Sequence, residues 1–268
     1  MKKILFSLLI LSLCTSSLFA GEEDKDTIVV SPKVKINVSA AIKNQHYWRG
    51  YAVATSPLMT SMVSVITKSG FEIGTWNGFG LDGGFKDVDT YISYSKGGFS
   101  IALWDVYNFS DYDISSASFP YGNFGNSNYF NYSGKGRHFI DASIGYAVPR
   151  TKLSLFLATI VAGRDINKNG DSAYSTYFKT SYGLTAGDVS ITPYTSVGFA
   201  LNSIEGENFW KWTKDAGKNT SNFNFSEVGI NFSKPIKISE KVSIGASAGF
   251  VVSPVNKTAS GLFGITLF

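Results

Sequence analysis

Two carboxylates and a phenol lie at alternate positions in the segment KDVDTYISY. Asp87, Asp89 and Tyr91 follow one another at every second position, and Val88 and Ile92 belong to the alternate set. Successive side chains of a β-strand point to opposite faces, so this spacing predicts one polar face and one apolar face. In a soluble sheet the acids would meet water, whereas in a membrane barrel they would face the lumen. The segment alone leaves both interpretations open.

Other charged residues lie on the polar parity of similar segments. If these segments line a barrel, the charged side chains point inward, because a charge on the lipid face at mid-depth is costly. We expect the pore-lining set to comprise Arg49, Glu72, Asp87, Asp89, Tyr91, Asp141 and Lys179.

Arg49 follows the first segment and can reach into the lumen from the rim. We therefore expect a charged cluster of Arg49 with Glu72, Asp87 and Asp89. Such a cluster either fills a narrow interior with mutually neutralised charges or forms a polar constriction that selects solutes.

The amino terminus has the pattern of a secretory signal peptide. Lys2 and Lys3 precede an apolar run over 4–13, and small residues lead to Ala20. The run is shorter than the about 20 apolar residues of a spanning helix. We expect a signal peptide at 1–20, a short amino-terminal segment at 21–32 and a barrel at 33–268.

Composition excludes several classes of site. Cys14 is the one cysteine, and its removal with the signal leaves no disulfide and no thiolate zinc site. Removing two of the 24 basic residues leaves 22 against 20 acids, a formal charge of +2 that gives no reason to expect a nucleic-acid partner. Metal clusters, phosphate loops and dinucleotide motifs are missing from the sequence, so we expect no cofactor.

Alternation with a period of two recurs in about ten-residue segments, as in outer-membrane barrels. The predicted strands are 33–45, 57–67, 70–80, 87–95, 98–109, 137–148, 152–163, 173–184, 188–201, 223–234, 240–252 and 259–268.

Short and long connections alternate between these twelve segments. The turns at 68–70, 96–98, 149–152 and 185–188 are short, and 234–241 is a somewhat longer member of the same set. The links that alternate with them are at 46–56, 81–86, 110–136, 165–172, 202–222 and 254–260. Single-chain outer-membrane barrels have short periplasmic turns and longer outer loops. The sequence therefore predicts an all-β transmembrane antiparallel barrel of about 12 strands in a Gram-negative-type outer membrane, in contact with its lipid.

The chain ends in a strand that finishes on Phe268, as substrates of the outer-membrane assembly machinery usually do. We therefore expect that machinery to be a partner during insertion.

The segments YWRGY, GFEIGTWNGFG, DVDTYISYS and FSIALWDVYNF resemble the TorF family of porins over about 47–112. The family pattern has Glu at the position of Asp87. This resemblance implies a barrel that forms a channel.

Passage of small polar solutes, passive or weakly selective, is the predicted function. The alternative is an adhesin or ligand-binding barrel that acts through long aromatic loops, although Trp210 and Trp212 are expected in the outer aromatic girdle. His46 and His138 lack a same-face serine or acid two or three positions along, so we do not expect an enzyme. Both histidines are expected near the outer headgroups.

Overall fold

The structure of the protein is a computed structural model that describes residues 34–110, 128–206, 208–210, 221–240 and 242–268. The predicted signal peptide, the 21–32 segment and Trp212 lie outside these residues. No helix in the described ranges is long and apolar enough to cross a membrane. The strands are β1 (Val34–Lys43), β2 (His46–Trp48), β3 (Tyr51–Ala54), β4 (Leu58–Thr67), β5 (Phe71–Gly80), β6 (Lys86–Lys96), β7 (Phe99–Asn108), β8 (His138–Ala147), β9 (Leu153–Gly163), β10 (Ser175–Tyr182), β11 (Leu184–Ala186), β12 (Val189–Ala200), β13 (Asn224–Lys237), β14 (Ser243–Ser253) and β15 (Thr258–Thr266).

Twelve of these strands form a closed antiparallel barrel, which confirms the predicted fold class. Each barrel strand pairs with its neighbours in chain order, and β10 pairs directly with β12. The barrel closes where β1 meets β15, with Ala41 opposite Thr266 and Lys43 opposite Gly264. The short strand β11 extends the β10 side of the wall along β12, with Leu184 opposite Ile191.

The outer face of the barrel is apolar. Ile36, Ile73 and Phe263 are 70%, 62% and 63% exposed, and they belong to the outward parity of their strands. The inward parity carries small polar residues such as Ser247, which lies opposite Gly264. An apolar outside around a polar inside is the distribution of a membrane-spanning barrel, in which closure pairs every backbone group along the wall.

Strands β2 and β3 form a separate hairpin within the connection from β1 to β4. Trp48 lies opposite Tyr51, with Arg49 and Gly50 as the two turn residues. Both turn residues have positive φ, 45° for Arg49 and 107° for Gly50, the signature of a type I′ hairpin turn. We call residues 46–54 the inserted hairpin, because their contacts lie within the barrel.

A charge on the outer face should destabilise the barrel. Ile92 points outward in the middle of β6 and is 51% exposed, whereas Ser93 faces the lumen opposite Glu72. Ile92→Lys should lower the free energy of unfolding in lipid vesicles by about 2–4 kcal/mol. Ser93→Lys adds the same charge at the neighbouring, lumen-facing position and should change the free energy of unfolding far less. Equal losses in urea titrations of the two variants would contradict this assignment of faces.

Candidate functional site: a hairpin seated in the barrel

Arg49, at the tip of the inserted hairpin, forms an ion pair with the barrel wall. Its Nη1 donates to Asp141 Oδ1 at 3.2 Å and its Nη2 to Asp141 Oδ2 at 2.5 Å. The side chains of Arg49 and Asp141 are 10% and 4% exposed. This two-point geometry fixes both the position and the orientation of the guanidinium group.

Four aromatic rings surround the same guanidinium group. Its Cζ lies 4.7 Å from the ring centroid of Trp48, 5.4 Å from Trp210, 5.4 Å from Tyr177 and 5.5 Å from Phe156. A cation over an aromatic face gains about 0.5–2 kcal/mol, with the larger values in desolvated sites. We call Asp141 and these four rings the cage.

The backbone at the hairpin tip is held by two polar side chains. Gly50 N donates to Glu227 Oε1 at 2.9 Å, and Asn256 Nδ2 donates to Gly50 O at 2.9 Å. Glu227 also accepts from Ser196 Oγ at 2.9 Å and from the Tyr177 hydroxyl. Its buried carboxylate is therefore fully engaged, partly with the wall and partly with the hairpin.

The turn itself is strained at Arg49. A left-handed φ costs a non-glycine residue roughly 1–2 kcal/mol, and Arg49 has such a φ. Gly50 avoids that cost and leaves room for the wall, since a Cβ there would lie 3.2 Å from Ser226 O. Strain that the surroundings compensate is a frequent mark of functional positions.

An aromatic core fills the space above the tip. The buried set comprises Tyr51, Phe139, Ile160, Tyr177, Phe209 and Trp210, with Trp48 packed against it. Trp210 Nε1 donates to Thr176 O at 2.8 Å, and its ring lies against Gly198, where a Cβ would approach Trp210 Cδ1 to 2.4 Å. The connection after β12 therefore enters the barrel beside the hairpin.

The start of the hairpin packs against the opposite part of the wall. The His46 ring lies 5.1 Å from that of Trp76 on β5 and 5.2 Å from that of Phe85. Burial lowers the pKa of His46 to about 3, and the nearby Lys43 ammonium lowers it further. His46 is therefore neutral inside the barrel.

The two carboxylates of β6 lie next to each other on the inner face. Asp87 and Asp89 are buried, and Asp87 Oδ2 accepts from Asn108 Nδ2 at 3.2 Å. Asp89 Oδ1 accepts from Tyr107 N at 3.3 Å. Arg164, which follows β9, is buried within electrostatic range of both acids.

The other predicted site residues are spread along the inner wall. Tyr91 donates to Glu72 Oε1 at 2.6 Å, and its ring stacks on Trp104 with 4.2 Å between centroids. Lys179 lies over the Tyr194 ring, with Nζ 4.3 Å from the centroid. All seven predicted residues are thus on the inner wall or in the inserted hairpin.

The predicted charged cluster is wrong in its composition. Arg49 pairs with Asp141 on β8, not with the acids at positions 72, 87 and 89, because the hairpin folds down the β8 side of the lumen. Arg164 takes the place expected for Arg49 near the β6 acids.

Two further sequence expectations fail, because they placed loop residues at the headgroups. Trp210 was expected in the outer girdle but is completely buried inside the barrel. His46 was expected near the outer headgroups but lies half-buried in the lumen, against Trp76 and Phe85.

Sequence analysis also missed Glu227 and Asn256, which hold the hairpin backbone. Glu227 lies in β13 next to a bulge between Ser196 and Val197, so simple alternation from the end of that strand does not indicate its direction. The available signal was that Glu227 is the one charged residue in the segment NFSEVGINF.

The lumen near the short turns has a different lining. Small or polar residues dominate there, such as Ser100 opposite Gly145 and Ser233 opposite Ser247. The inserted hairpin and residues 208–210 pack against the wall nearer the long connections, around Phe139 and Tyr177.

Asp105 and His138 lie on the outer face near the rim. His138 Nδ1 is 2.7 Å from Asp105 Oδ1, and the Tyr132 hydroxyl donates to Asp105 Oδ2 at 2.7 Å. The His138 ring is stacked between Tyr107 and Tyr132. The outward parity of Asp105 is thus accommodated by a buried polar contact under the outer segment that precedes β8.

The described ranges contain no group of three or more histidine, cysteine or acidic residues placed to hold a metal ion.

Comparisons with known proteins give only a likeness of fold. No family profile and no curated protein matches the chain, so the resemblance to TorF porins stays a prediction. The barrel is similar to the NanC porin, with TM-score 0.44, 8% identity and coverage of 86% of this chain and 98% of that porin.

Two other solved structures are also similar to this chain. An outer membrane channel from Pseudomonas putida F1 has TM-score 0.40 at 9% identity, covering 92% of this chain and 98% of the channel. The translocator domain of the autotransporter NalP from Neisseria meningitidis has TM-score 0.32 at 10% identity, with 88% of each chain covered.

Acid should loosen the inserted hairpin through His46. Because its folded pKa of about 3 lies below the ordinary 6.5, the stability due to neutral His46 is complete above the ordinary value and is lost as pH falls toward 3. The equilibrium constant for insertion of the hairpin should fall by up to about tenfold per pH unit between pH 6.5 and 3. The measurement is the rate at which an acid-tolerant thiol reagent labels an Ala54→Cys variant, divided by the rate for the exposed Ser133→Cys variant. A faster relative rate reports withdrawal of the hairpin.

His46→Phe provides the control, since the ring packs on Trp76 and Phe85 without titrating. Its labelling should be flatter between pH 6.5 and 4 than that of the His46 protein. An unchanged pH profile would show that another group governs the seating.

Proposed function

We propose that the protein is an outer-membrane channel for small polar solutes, closed on its outer side by the inserted hairpin. The observation that carries this proposal is the hairpin itself, seated inside a barrel whose wall near the short turns carries small inward residues such as Ser100 and Ser233. A barrel that served only as an anchor would not need a separately held hairpin inside it.

The location in the outer membrane rests on the apolar outer face and on the closed antiparallel wall. The predicted signal peptide and carboxy-terminal phenylalanine support the same location. Lipid of that membrane and its assembly machinery are the partners that this location implies.

The filled half explains how solute passage could be controlled. The hairpin is bonded to the wall by an ion pair, two backbone hydrogen bonds and aromatic contacts. Its strands are outside the barrel ladder, so it can leave without breaking a wall hydrogen bond. Solutes would then pass the lumen-facing acids and Lys179.

Replacing residues 46–56 by a four-residue Gly/Ser turn tests this function directly. Single-channel conductance in planar bilayers should rise on the order of tenfold, because the narrowest part of the lumen is removed. The β1–β4 ladder ends at Lys43 and Leu58, so the shortened connection still spans adjacent strand ends.

Phe130→Ala is the control for altered outer segments, because this side chain is 82% exposed away from the lumen. It should leave the conductance unchanged. If the shortened protein inserts as a barrel and still carries no current, the channel proposal fails.

The Asp87 and Asp89 carboxylates should favour cations in the conducting state. Both face the lumen, and Arg164 lies within electrostatic range of both. Joint substitution Asp87→Asn and Asp89→Asn in the shortened protein should shift the reversal potential in a salt gradient toward anions. Asp188→Asn, at the exposed β11–β12 turn, removes a charge outside the lumen and should leave the potential in place.

Binding through the outer loops is the second candidate function. The exposed Phe130, with Tyr129 and Tyr132 beside it, supports this alternative. Phe209 and Trp210 are buried, so these two aromatic side chains are not exposed to bind a ligand or partner at the surface. Wild-type and shortened proteins that both lack conductance would favour this candidate.

A further inference from the structure

We propose that the cage is a binding site for a guanidinium-bearing solute and that Arg49 occupies it in place of that solute. This inference rests on the proposed channel function and adds the class of solute that the channel recognises.

The wall contributes most of the cage. Asp141 on β8, Phe156 on β9 and Tyr177 on β10 are inward-facing residues of the barrel, and Trp210 comes from the connection after β12. Trp48 alone belongs to the hairpin. Withdrawal of the hairpin therefore leaves an acid and rings in place, arranged for a cation.

The geometry selects a planar cation over a compact one. Asp141 accepts separate hydrogen bonds from the two terminal nitrogens of Arg49, and a guanidinium fork makes such a pair whereas an ammonium group does not. Rings on several sides add cation–π contacts that a neutral solute would lack.

The local charge balance also calls for a cation. Without Arg49, Asp141 and Glu227 are two buried acids, and Lys179 is a wall cation within electrostatic range of Glu227. The vacated site then carries a net negative charge. A buried acid that loses its partner strongly favours a replacement cation.

The strained turn supports the same conclusion. Asparagine or glycine would suit the left-handed backbone at position 49, yet an arginine is placed there with its head in the cage. The hairpin tip thus has the chemistry of a tethered ligand. A free solute with the same head group would compete with it.

Arg49→Ala opens the cage while keeping the hairpin, and the probes are n-propylguanidine and L-arginine methyl ester. Each should quench or shift the tryptophan fluorescence of the refolded variant at concentrations on the order of tenfold lower than for the Arg49 protein. n-Propylamine and uncharged n-propylurea should bind more weakly than n-propylguanidine.

Two further variants define the site. Arg150→Ala removes an arginine from an exposed periplasmic turn and should bind the probes no better than the Arg49 protein. Adding Asp141→Asn to Arg49→Ala should raise the required probe concentration by on the order of tenfold. Arg49→Gln keeps the chain length if the alanine variant does not fold.

Fluorescence titration separates this inference from the channel proposal, since it needs no current. Saturable binding that depends on Asp141 supports the cage even if bilayers show no conductance. Equal binding of guanidine and urea probes, or no binding by either folded Arg49 variant, overturns the inference while leaving conductance to be judged separately.

Discussion

Hydrocarbon offers no partner for a backbone amide or carbonyl, and this constraint determines the rest of the structure. It requires a closed wall, and a closed antiparallel wall assigns alternate residues to the inside and the outside. Twelve strands enclose more space than the serines and glycines of the inner face can fill. The lumen must therefore hold water or other parts of the chain, and this barrel holds chain in its outer half.

A loop that enters the lumen meets the same constraint on a smaller scale. The tip of the inserted hairpin brings a backbone amide, a carbonyl and a guanidinium group out of bulk water. Glu227, Asn256 and Asp141 satisfy these three groups in turn. Because an unpaired buried polar group is costly, the three contacts also define a single seating of the hairpin.

The barrel strands could be predicted from the sequence because polar and apolar residues alternate in them with a period of two. Alternation in β6 places Asp87, Asp89 and Tyr91 on one face, and the alternating connection lengths predict twelve strands. Loops have no period, so the destination of Arg49 and the burial of Trp210 could not be derived from spacing. Glu227 was missed for a related reason, since a bulge beside it shifts the register of the pairing.

The division between wall and hairpin suggests how one chain can be both stable and responsive. The two strands of the inserted hairpin lie outside the barrel sheet, and the last β1–β4 pair is Lys43 with Leu58, so movement of residues 46–54 leaves the β1–β4 ladder intact. The contacts that hold the hairpin are side-chain contacts, several of them charged, and these respond to protons and to competing ions more than a ladder does. A solute that replaces Arg49 in the cage changes only this second set of contacts, and the barrel that carries the site stays as it is.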